Sequence, residues 1–202
     1  QMALEACTQP WVLSIDSDES VEPDLATSIR EALAKPDVQA VGFEVNRKVW
    51  YRGRFLNHAW QPEWRLRLVR RDLVPEFIRW GGINPHDKLS LLDPSKGRIG
   101  RLSGVLRHDT IEDMASFFMA QVRLAQVSAT SLREAGRTSS YWKLLTSPPG
   151  AFFKQMVMKS AWRDGWRGWC AAAATAGATL MKHAILLDLA GRAREGDGPG
   201  NA

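Results

Sequence analysis

The sequence predicts an α/β core followed by an α-helical C-terminal extension. Up to about residue 105, short segments with the hydrophobic patterns of strands alternate with one helical segment. From residue 111 onward, apolar residues recur at helical spacing. A hydrophobic fraction of 45% and a charged fraction of 24% are ordinary for a folded domain, so the pattern indicates α/β structure rather than disorder.

The elements of the predicted core follow from apolar spacing and from the residues that interrupt it. Residues 1–8 have a helical pattern that Pro10 ends, and the apolar run 11–15 predicts a short buried strand. A helix is expected from Pro23 to Ala34, because proline favours the first helical position. Period-two alternation predicts the remaining strands at residues 40–51, 64–71 and about 99–105.

The C-terminal part is predicted to contain two helical sections. Helical spacing runs from residue 111 to about 135, and the run Ser147-Pro148-Pro149-Gly150 predicts a break before a last helical section at 152–189. The expected organisation is a catalytic-type domain at 1–110, a helical extension at 111–192 and a disordered tail at 193–202.

The chain is basic and rich in tryptophan. A net charge of +5 and a pI near 9.5 fit nucleic acid, an anionic membrane or a diphosphate substrate. No helix-turn-helix, zinc or RNA-recognition pattern is present, so we expect no nucleic-acid partner. Nine Trp residues suit sugar stacking, membrane interfaces or protein cores.

The acidic turn Asp16-Ser17-Asp18 directly follows the first predicted strand. Ligands of α/β sheets bind at the carboxyl ends of strands, so the two carboxylates are candidates for binding a ribose and a divalent cation. Mg²⁺ or Mn²⁺ is expected, because hard cations prefer oxygen ligands and share them with substrate phosphates. The alternative is that these residues cap the helix that begins near Pro23.

Several short motifs together resemble family 2 glycosyltransferases, and more narrowly their lipopolysaccharide core β-1,4-glucosyltransferase-like branch. The first is Trp11-Val12-Leu13-Ser14-Ile15-Asp16-Ser17-Asp18-Glu19, which is similar to the WVLxxDxDE signature of that family. The others lie in order along the chain at residues 43–47, 51–53, 60–63, 65–68, 86–87, 102–108 and 165–168.

This resemblance implies a GT-A-type, Rossmann-like fold for nucleotide-diphospho-sugar transfer, with residues 1–110 as its C-terminal part. The nucleotide-binding half of such a fold is then expected upstream of Gln1. The implied activity is inverting transfer of a hexose, glucose from UDP-glucose, to a lipid-linked or lipopolysaccharide core saccharide. Asp18 and Asp16 would hold the metal, and Ser17 would join them in binding the donor. The alternative is a truncated, non-catalytic remnant or interaction module.

The resemblance also implies roles for later residues. Asp87 is expected to be the general base that deprotonates the acceptor, with His86 orienting it or touching the donor phosphates, although the pair could simply cap a turn. Arg65 and Arg67 are candidates for binding the donor diphosphate, because planar guanidinium groups match phosphate oxygens. Trp60 and Trp64 are candidates for stacking on the acceptor sugar or for core packing. The later dipeptide His108-Asp109 is expected to cap the following helix.

Residues 152–169 mix aromatic side chains with Lys and Arg, which favours a helix lying in a membrane interface. Only twelve residues, 170–181, are continuously apolar, so a membrane-spanning helix is not expected. We therefore expect peripheral contact with the cytoplasmic face of the inner membrane. The alternative is a helix packed on the catalytic core.

Overall fold

The computed structural model describes residues 2–34, 40–82 and 88–196. The described chain forms two compact units. The first contains residues 2–34, 40–55, 61–82 and 88–111, and the second contains residues 56–60 and 112–196. Of the predicted tail, residues 197–202 lie outside the described residues.

The first unit is built on a mixed β-sheet. The strands of this sheet are β1 (Trp11–Leu13), β2 (Glu19–Val21), β3 (Ala40–Tyr51), β4 (Arg54–Phe55), β5 (Trp64–Arg70) and β8 (Arg98–His108). Strands β6 (Ile78–Gly81) and β7 (Lys88–Leu91) lie between β5 and β8 in the chain and pair with each other as a separate β6–β7 hairpin. The order across the sheet is β1-β5-β3-β8-β2, and β4 pairs with the end of β3. Among the strands that the structure describes, β3 and β8 are the one parallel pair. The four predicted strands are confirmed as β1, β3, β5 and β8, whereas β2, β4, β6 and β7 were not predicted.

Two helices belong to the same unit, α1 (Met2–Ala6) and α2 (Pro23–Leu33). Pro23 occupies the first turn of α2 and Glu22 the N-cap position, although the side chain of Glu22 makes no capping bond. Leu25 is fully buried in a cluster with Val45, Leu68, Leu102 and Leu106. This cluster joins α2 to the sheet, as expected for apolar residues at helical spacing.

A second apolar cluster packs α1 and the β6–β7 hairpin around β1 and β5. Its buried members are Leu4, Val12, Val69, Val74, Ile78 and Leu89. The two clusters together fix β1 and β5 as neighbours, with Leu13 opposite Leu68. The chain that leaves β1 is therefore anchored at the point where the acidic turn begins.

The second unit is helical, with α3 (Met114–Glu134), α4 (Tyr141–Phe153) and α5 (Trp166–Gly196). Asp113 caps α3 and Ser140 caps α4 through their side chains. The predicted break at the two prolines is wrong, because Pro148 and Pro149 lie inside α4. The chain turns instead after a π-helical stretch, at Ser160 and Gly165, which adopt positive φ on either side of a short 3-10 helix. These two positive-φ residues, rather than the prolines, end the helical run.

Helix α5 is longer than the sequence indicated, and it continues to Gly196, four residues into the range predicted as a tail. By length and composition, Trp166–Arg192 is the one candidate membrane span among the described residues. The twelve-residue apolar run therefore underestimated the length of this helix, which by length and composition alone is sufficient to cross a membrane. Within the second unit, however, α5 packs along both α3 and α4. The Nη1 atom of Arg133 on α3 donates to the backbone oxygen of Leu189, 2.7 Å away.

Candidate functional site

A buried group of charged side chains follows β1 in the first unit. The Nη2 atom of Arg67, on β5, donates to Oδ2 of Asp16 and to Oε1 of Glu19, both at 2.6 Å. The Glu19 side chain has no exposed surface and Arg67 has 4%, whereas Asp16 is 50% exposed. Arg67 therefore anchors the acidic turn from the protein side and leaves half of the Asp16 side chain accessible.

Arg47, on β3, extends this group toward Glu63. Its Nη1 atom lies 3.2 Å from Oε1 of Glu19, and its Nε and Nη2 atoms donate to the two oxygens of Glu63 at 3.1 and 2.7 Å. Arg65 donates to Oε1 of Glu63 as well, at 2.7 Å through Nη2. Paired bonds between guanidinium and carboxylate fix both partners in one plane, which makes the network rigid. We call these six residues, Asp16, Glu19, Arg47, Glu63, Arg65 and Arg67, the charge cluster.

Asp18 has a different partner. Its Oδ2 atom lies 3.0 Å from Nε2 of His108, the last residue of β8. An ionised carboxylate can only accept, so Nε2 of His108 is the donor in this contact. Burial lowers the pKa of His108, and the nearby positive charge of Arg47 lowers it further against the opposing effect of Asp18. Asp18 thus faces an imidazole, whereas Asp16 faces guanidinium groups.

The electrostatics of Asp16 follow from its arginine partners. Partial burial would raise the pKa of Asp16, but the hydrogen bond and charge of Arg67, together with the charge of Arg47, hold it below its ordinary value. Within the charge cluster, three carboxylates meet three guanidinium groups. Asp18 is the additional carboxylate of the turn, and it is 42% exposed.

The donor atoms present fit a hard divalent cation that shares its ligands with a substrate. Asp16 and Asp18 offer half-exposed carboxylate oxygens, and the described residues contain no group of three or more His, Cys, Asp or Glu placed to enclose a metal on their own. Mg²⁺-type sites use one or two carboxylates and complete their coordination with water and phosphate, so such a group is not required. Arg67 Nε and His108 Nδ1 are buried here without a hydrogen-bond partner among the described residues, as expected beside a site that takes a polar ligand.

The proposed capping roles of these acidic residues are wrong. Asp16 and Asp18 do not cap α2, whose N-cap position is taken by Glu22. Asp109 does not cap α3 either, because Asp113 has that role and the Asp109 carboxylate binds Arg107. His108, which was grouped with Asp109 as a cap, instead contacts Asp18.

The two tryptophans proposed for acceptor binding have other contacts in their own units. The guanidinium carbon of Arg101 lies 4.7 Å from the ring centroid of Trp64, which covers one face of that ring. The indole nitrogen of Trp60 donates to Oγ1 of Thr175, and its ring lies 6.1 Å from that of Phe117. Trp60 therefore has the contacts of a packing residue. His86 and Asp87, the proposed base pair, lie outside the described residues.

Four residues of the site had no role in the sequence-based prediction. Glu19, Arg47, Glu63 and His108 each lie in a motif that carries the family resemblance, but no binding or catalytic role was assigned to them, and His108 was expected only to cap a helix. Arg47 did carry a signal, because the alternation of β3 places it on the same side as Val45 and Val49, which are buried. A charged residue at an inward position requires a buried partner, and Glu19 and Glu63 provide it.

The chain is similar to a known glycosyltransferase. Over 183 residues it is 28% identical to the lipopolysaccharide core biosynthesis glycosyltransferase LpsC of Rhizobium meliloti (strain 1021). The aligned region covers 85% of the chain and 62% of the relative, so the chain spans less than two thirds of that protein's length. No protein-family model matches the chain. Its mixed α/β architecture is compatible with a glycosyltransferase.

Proposed function

We propose that this chain is part of an inverting glycosyltransferase of family 2 that acts in lipopolysaccharide core synthesis. The acidic turn after β1 is the observation that carries the proposal, because Asp16 and Asp18 have separate anchors and both remain about half exposed. The similarity to a lipopolysaccharide core glycosyltransferase supports the reaction class. The proposed reaction transfers a hexose, glucose from UDP-glucose, to a core saccharide on a lipid carrier.

In this proposal the first unit is the C-terminal part of a GT-A-type fold, and the turn 16–18 receives the donor. Asp16 is held in place by Arg67 and positions the turn, whereas Asp18 faces no guanidinium in the contacts of the described residues and is available to a cation. His108 orients Asp18 from the neighbouring strand end. Asp87, with His86 beside it, is proposed to accept the proton of the attacking hydroxyl.

A divalent cation, Mg²⁺ or Mn²⁺, fits the oxygens of Asp18 and Asp16 and would neutralise negative charge on the departing nucleoside diphosphate. Arg67 is committed to two carboxylates, so its contribution is to hold Asp16 rather than to reach the diphosphate. Arg65 is the more accessible of the two arginines, with 30% of its side chain exposed, and it is the better candidate for a phosphate contact.

For the acceptor, we retain Trp64 as the candidate for a sugar contact, through the ring face that Arg101 does not cover. A lipid-linked acceptor requires that the enzyme work beside a membrane, so we propose peripheral contact with the cytoplasmic face of the inner membrane. The second unit, with its exposed aromatic residues, is the part proposed to make this contact.

A second candidate function is a non-catalytic interaction module. The observation that favours it is the matched charge cluster, because Asp16 is already neutralised by Arg67 and Arg47 without any ligand. In that case the acidic turn would be a structural element of the first unit. The two candidates differ in whether Asp18 binds a cation together with a nucleoside diphosphate.

The test measures both ligand binding and turnover. Calorimetry with Mn²⁺ and UDP, and hydrolysis of a panel of UDP-sugars, are carried out on the 202-residue chain and on the longest reading frame that encodes it. We expect Asp18→Asn to weaken binding of Mn²⁺ with UDP by at least roughly 100-fold. Asp72→Asn, at an exposed ion pair in the same unit, is the matched control and should leave binding unchanged. Turnover that persists in EDTA contradicts the proposed metal dependence. Unchanged binding by Asp18→Asn, with no turnover by either chain, contradicts the proposal and favours the interaction module.

A further inference from the structure

The second unit carries a row of exposed aromatic and apolar side chains between α4 and the start of α5. Tyr141, Trp142, Leu145, Met158, Trp162 and Trp169 are its main members, and Trp142 and Met158 are 74% and 70% exposed. We call these six residues the aromatic surface. Isolated apolar residues are normal at a protein surface, but a run of this size with several tryptophans indicates a surface that is covered in use.

The members of the aromatic surface follow helical spacing on each side of the turn. Trp142 and Leu145 are three residues apart on α4, Trp162 lies in the short 3-10 helix before Gly165, and Trp166 and Trp169 are three residues apart at the start of α5. The end of α4 meets the start of α5 where the rings of Phe152 and Trp169 lie 6.0 Å apart. The two rows therefore lie on elements that pack against each other within the second unit.

The chain segment that carries the aromatic surface is strongly basic. Between residues 139 and 183 the only acidic residue is Asp164, whereas the basic residues are Lys143, Lys154, Lys159, Arg163, Arg167 and Lys182. The Asp164 carboxylate is directed to the backbone amides of Asn57, His58 and Ala59, at 3.0, 2.9 and 2.8 Å. The negative charge of Asp164 is therefore bound by backbone amides of the same unit. Lys154 and Arg163 are exposed, so the surroundings of the aromatic surface are basic.

We infer that the aromatic surface inserts into the headgroup layer of an anionic lipid bilayer. Trp and Tyr combine an apolar ring with a polar group and are enriched at that depth, and Lys and Arg beside them attract anionic lipid. The charge complementarity distinguishes a bilayer from a generic apolar partner. This inference deepens the membrane contact of the proposed function by specifying the surface, and it does not require sugar transfer.

The contacts of α5 favour insertion at the interface over a helix that crosses the bilayer. Besides the bond from Arg133 to Leu189, the Nδ1 atom of His183 lies 2.9 Å from Oγ of Ser139. Thr175 accepts from the indole of Trp60. These bonds hold the middle and the C-terminal part of α5 within the second unit. A crossing helix would have to break them and carry Lys182 and His183 into the bilayer.

The test is co-sedimentation of the 202-residue chain with vesicles of phosphatidylcholine alone and of phosphatidylcholine with 30% phosphatidylglycerol. No nucleotide sugar is present, so a failure here is separate from a failure of the proposed activity. We expect binding to the anionic vesicles only. The double variant Lys154→Glu/Lys159→Glu should weaken it by roughly 20-fold or more, because each basic residue near such a surface contributes roughly a factor of five.

Apolar variants test insertion separately from charge. Trp142→Ser/Leu145→Ser should weaken binding at least roughly tenfold without lowering the unfolding midpoint, because both side chains are largely exposed. Met119→Ser/Val122→Ser, at exposed apolar positions on α3, is the matched control and should bind as the parent chain does.

Four results would overturn the inference. Equal binding to neutral vesicles would remove the role of charge, and equal loss in the α3 control would place the contact elsewhere. Resistance of the bound chain to extraction by alkaline carbonate would indicate a crossing helix. A dimer in solution that Trp142→Ser/Leu145→Ser dissociates, without vesicle binding, would show that a second copy covers the surface.

Discussion

The Nε2 atom of His108 lies 3.0 Å from Oδ2 of Asp18, which links the end of β8 to the acidic turn after β1. The backbone reinforces this link, because the amide of Asp109 donates to the carbonyl oxygen of Asp18 at 2.8 Å. The neighbouring pair Glu19 and His108 is also in register between β2 and β8. The position of Asp18 therefore depends on a strand that lies about ninety residues further along the chain.

The first prediction concerns this pair. His108→Ala should leave the fold intact but weaken the binding of Mn²⁺ with UDP by about 10–100-fold, because residues that orient a metal ligand have effects of this size. Calorimetry measures the change, and His183→Ala, which removes a histidine bonded to Ser139 in the other unit, is the control. Unchanged affinity in His108→Ala would show that Asp18 needs no orientation by the imidazole.

The second prediction concerns the buried arginine of the charge cluster. Arg67→Met should lower the free energy of unfolding by about 3–5 kcal/mol, because Glu19 has no exposed surface and would lose its closest cation. Arg70→Met, on the same strand, removes an exposed pair with Asp72 and should cost less than about 1 kcal/mol. Urea unfolding of both variants measures the difference. Equal losses would mean that the cluster contributes no more than a surface ion pair does.

The contrast between these arginines shows what the sequence could predict. Alternation located β3 and β5 closely, because half-buried strands impose a period of two on their side chains. It could not pair Arg67 with Glu19, which is 48 residues distant, because that contact depends on which strands become neighbours. The inward position of Arg47 was the available signal, since a buried charge needs a partner.

In the C-terminal part, the sequence predicted a helix correctly but placed the turn between helices wrongly. Helical spacing predicted α3 well, but the prolines were expected to break the chain and instead lie within α4. Ser140 caps that helix eight residues before Pro148, so the helix is already established when the prolines occur. The turn depends on the positive φ angles of Ser160 and Gly165. Serine seldom adopts a positive φ, so the sequence does not mark Ser160 as a turn residue.

The third prediction concerns Gly168, which lies in the motif Gly165-Trp166-Arg167-Gly168. A Cβ atom at this position would lie 1.7 Å from the carbonyl oxygen of Ala161, and that contact is with backbone. Gly168→Ala should therefore destabilise the second unit by about 3 kcal/mol or more. Gly177→Ala, on the same helix with open space around it, should be neutral or stabilising by up to about 1 kcal/mol. Thermal unfolding compares the two, and a neutral Gly168→Ala would contradict the close packing.

The fourth prediction concerns Asp164, whose carboxylate accepts from three successive backbone amides. Asp164→Ala should cost about 2–4 kcal/mol, because the amides of residues 57–59 lose a charged acceptor. Hydrogen exchange at these amides should speed up. Asp188→Ala, which removes an exposed pair with Arg192, should change stability by less than about 0.5 kcal/mol. Unchanged exchange at residues 57–59 would show that Asp164 does not hold this segment.

The fifth prediction concerns acid stability and Glu63. Burial alone would raise the pKa of Glu63, but the hydrogen bonds and charges of Arg47, followed by those of Arg65, hold it below the ordinary value of 4.5. The unfolded chain therefore binds this proton more readily than the folded chain does. The stabilisation is complete above the unfolded pKa, and it is lost as the pH falls below about 4.5 toward the folded pKa.

Glu63→Gln removes this titration while keeping the shape of the side chain. The variant should be less stable than the parent chain at pH 7, and the difference should shrink as the pH falls from about 5 to about 3, because the parent chain then loses the same interaction. Urea unfolding across this range measures both curves, with Glu76→Gln as a control at an exposed carboxylate. A stability difference that stays constant down to pH 3 would show that Glu63 contributes through shape alone, and that its ion pairs with Arg47 and Arg65 do not stabilise the first unit.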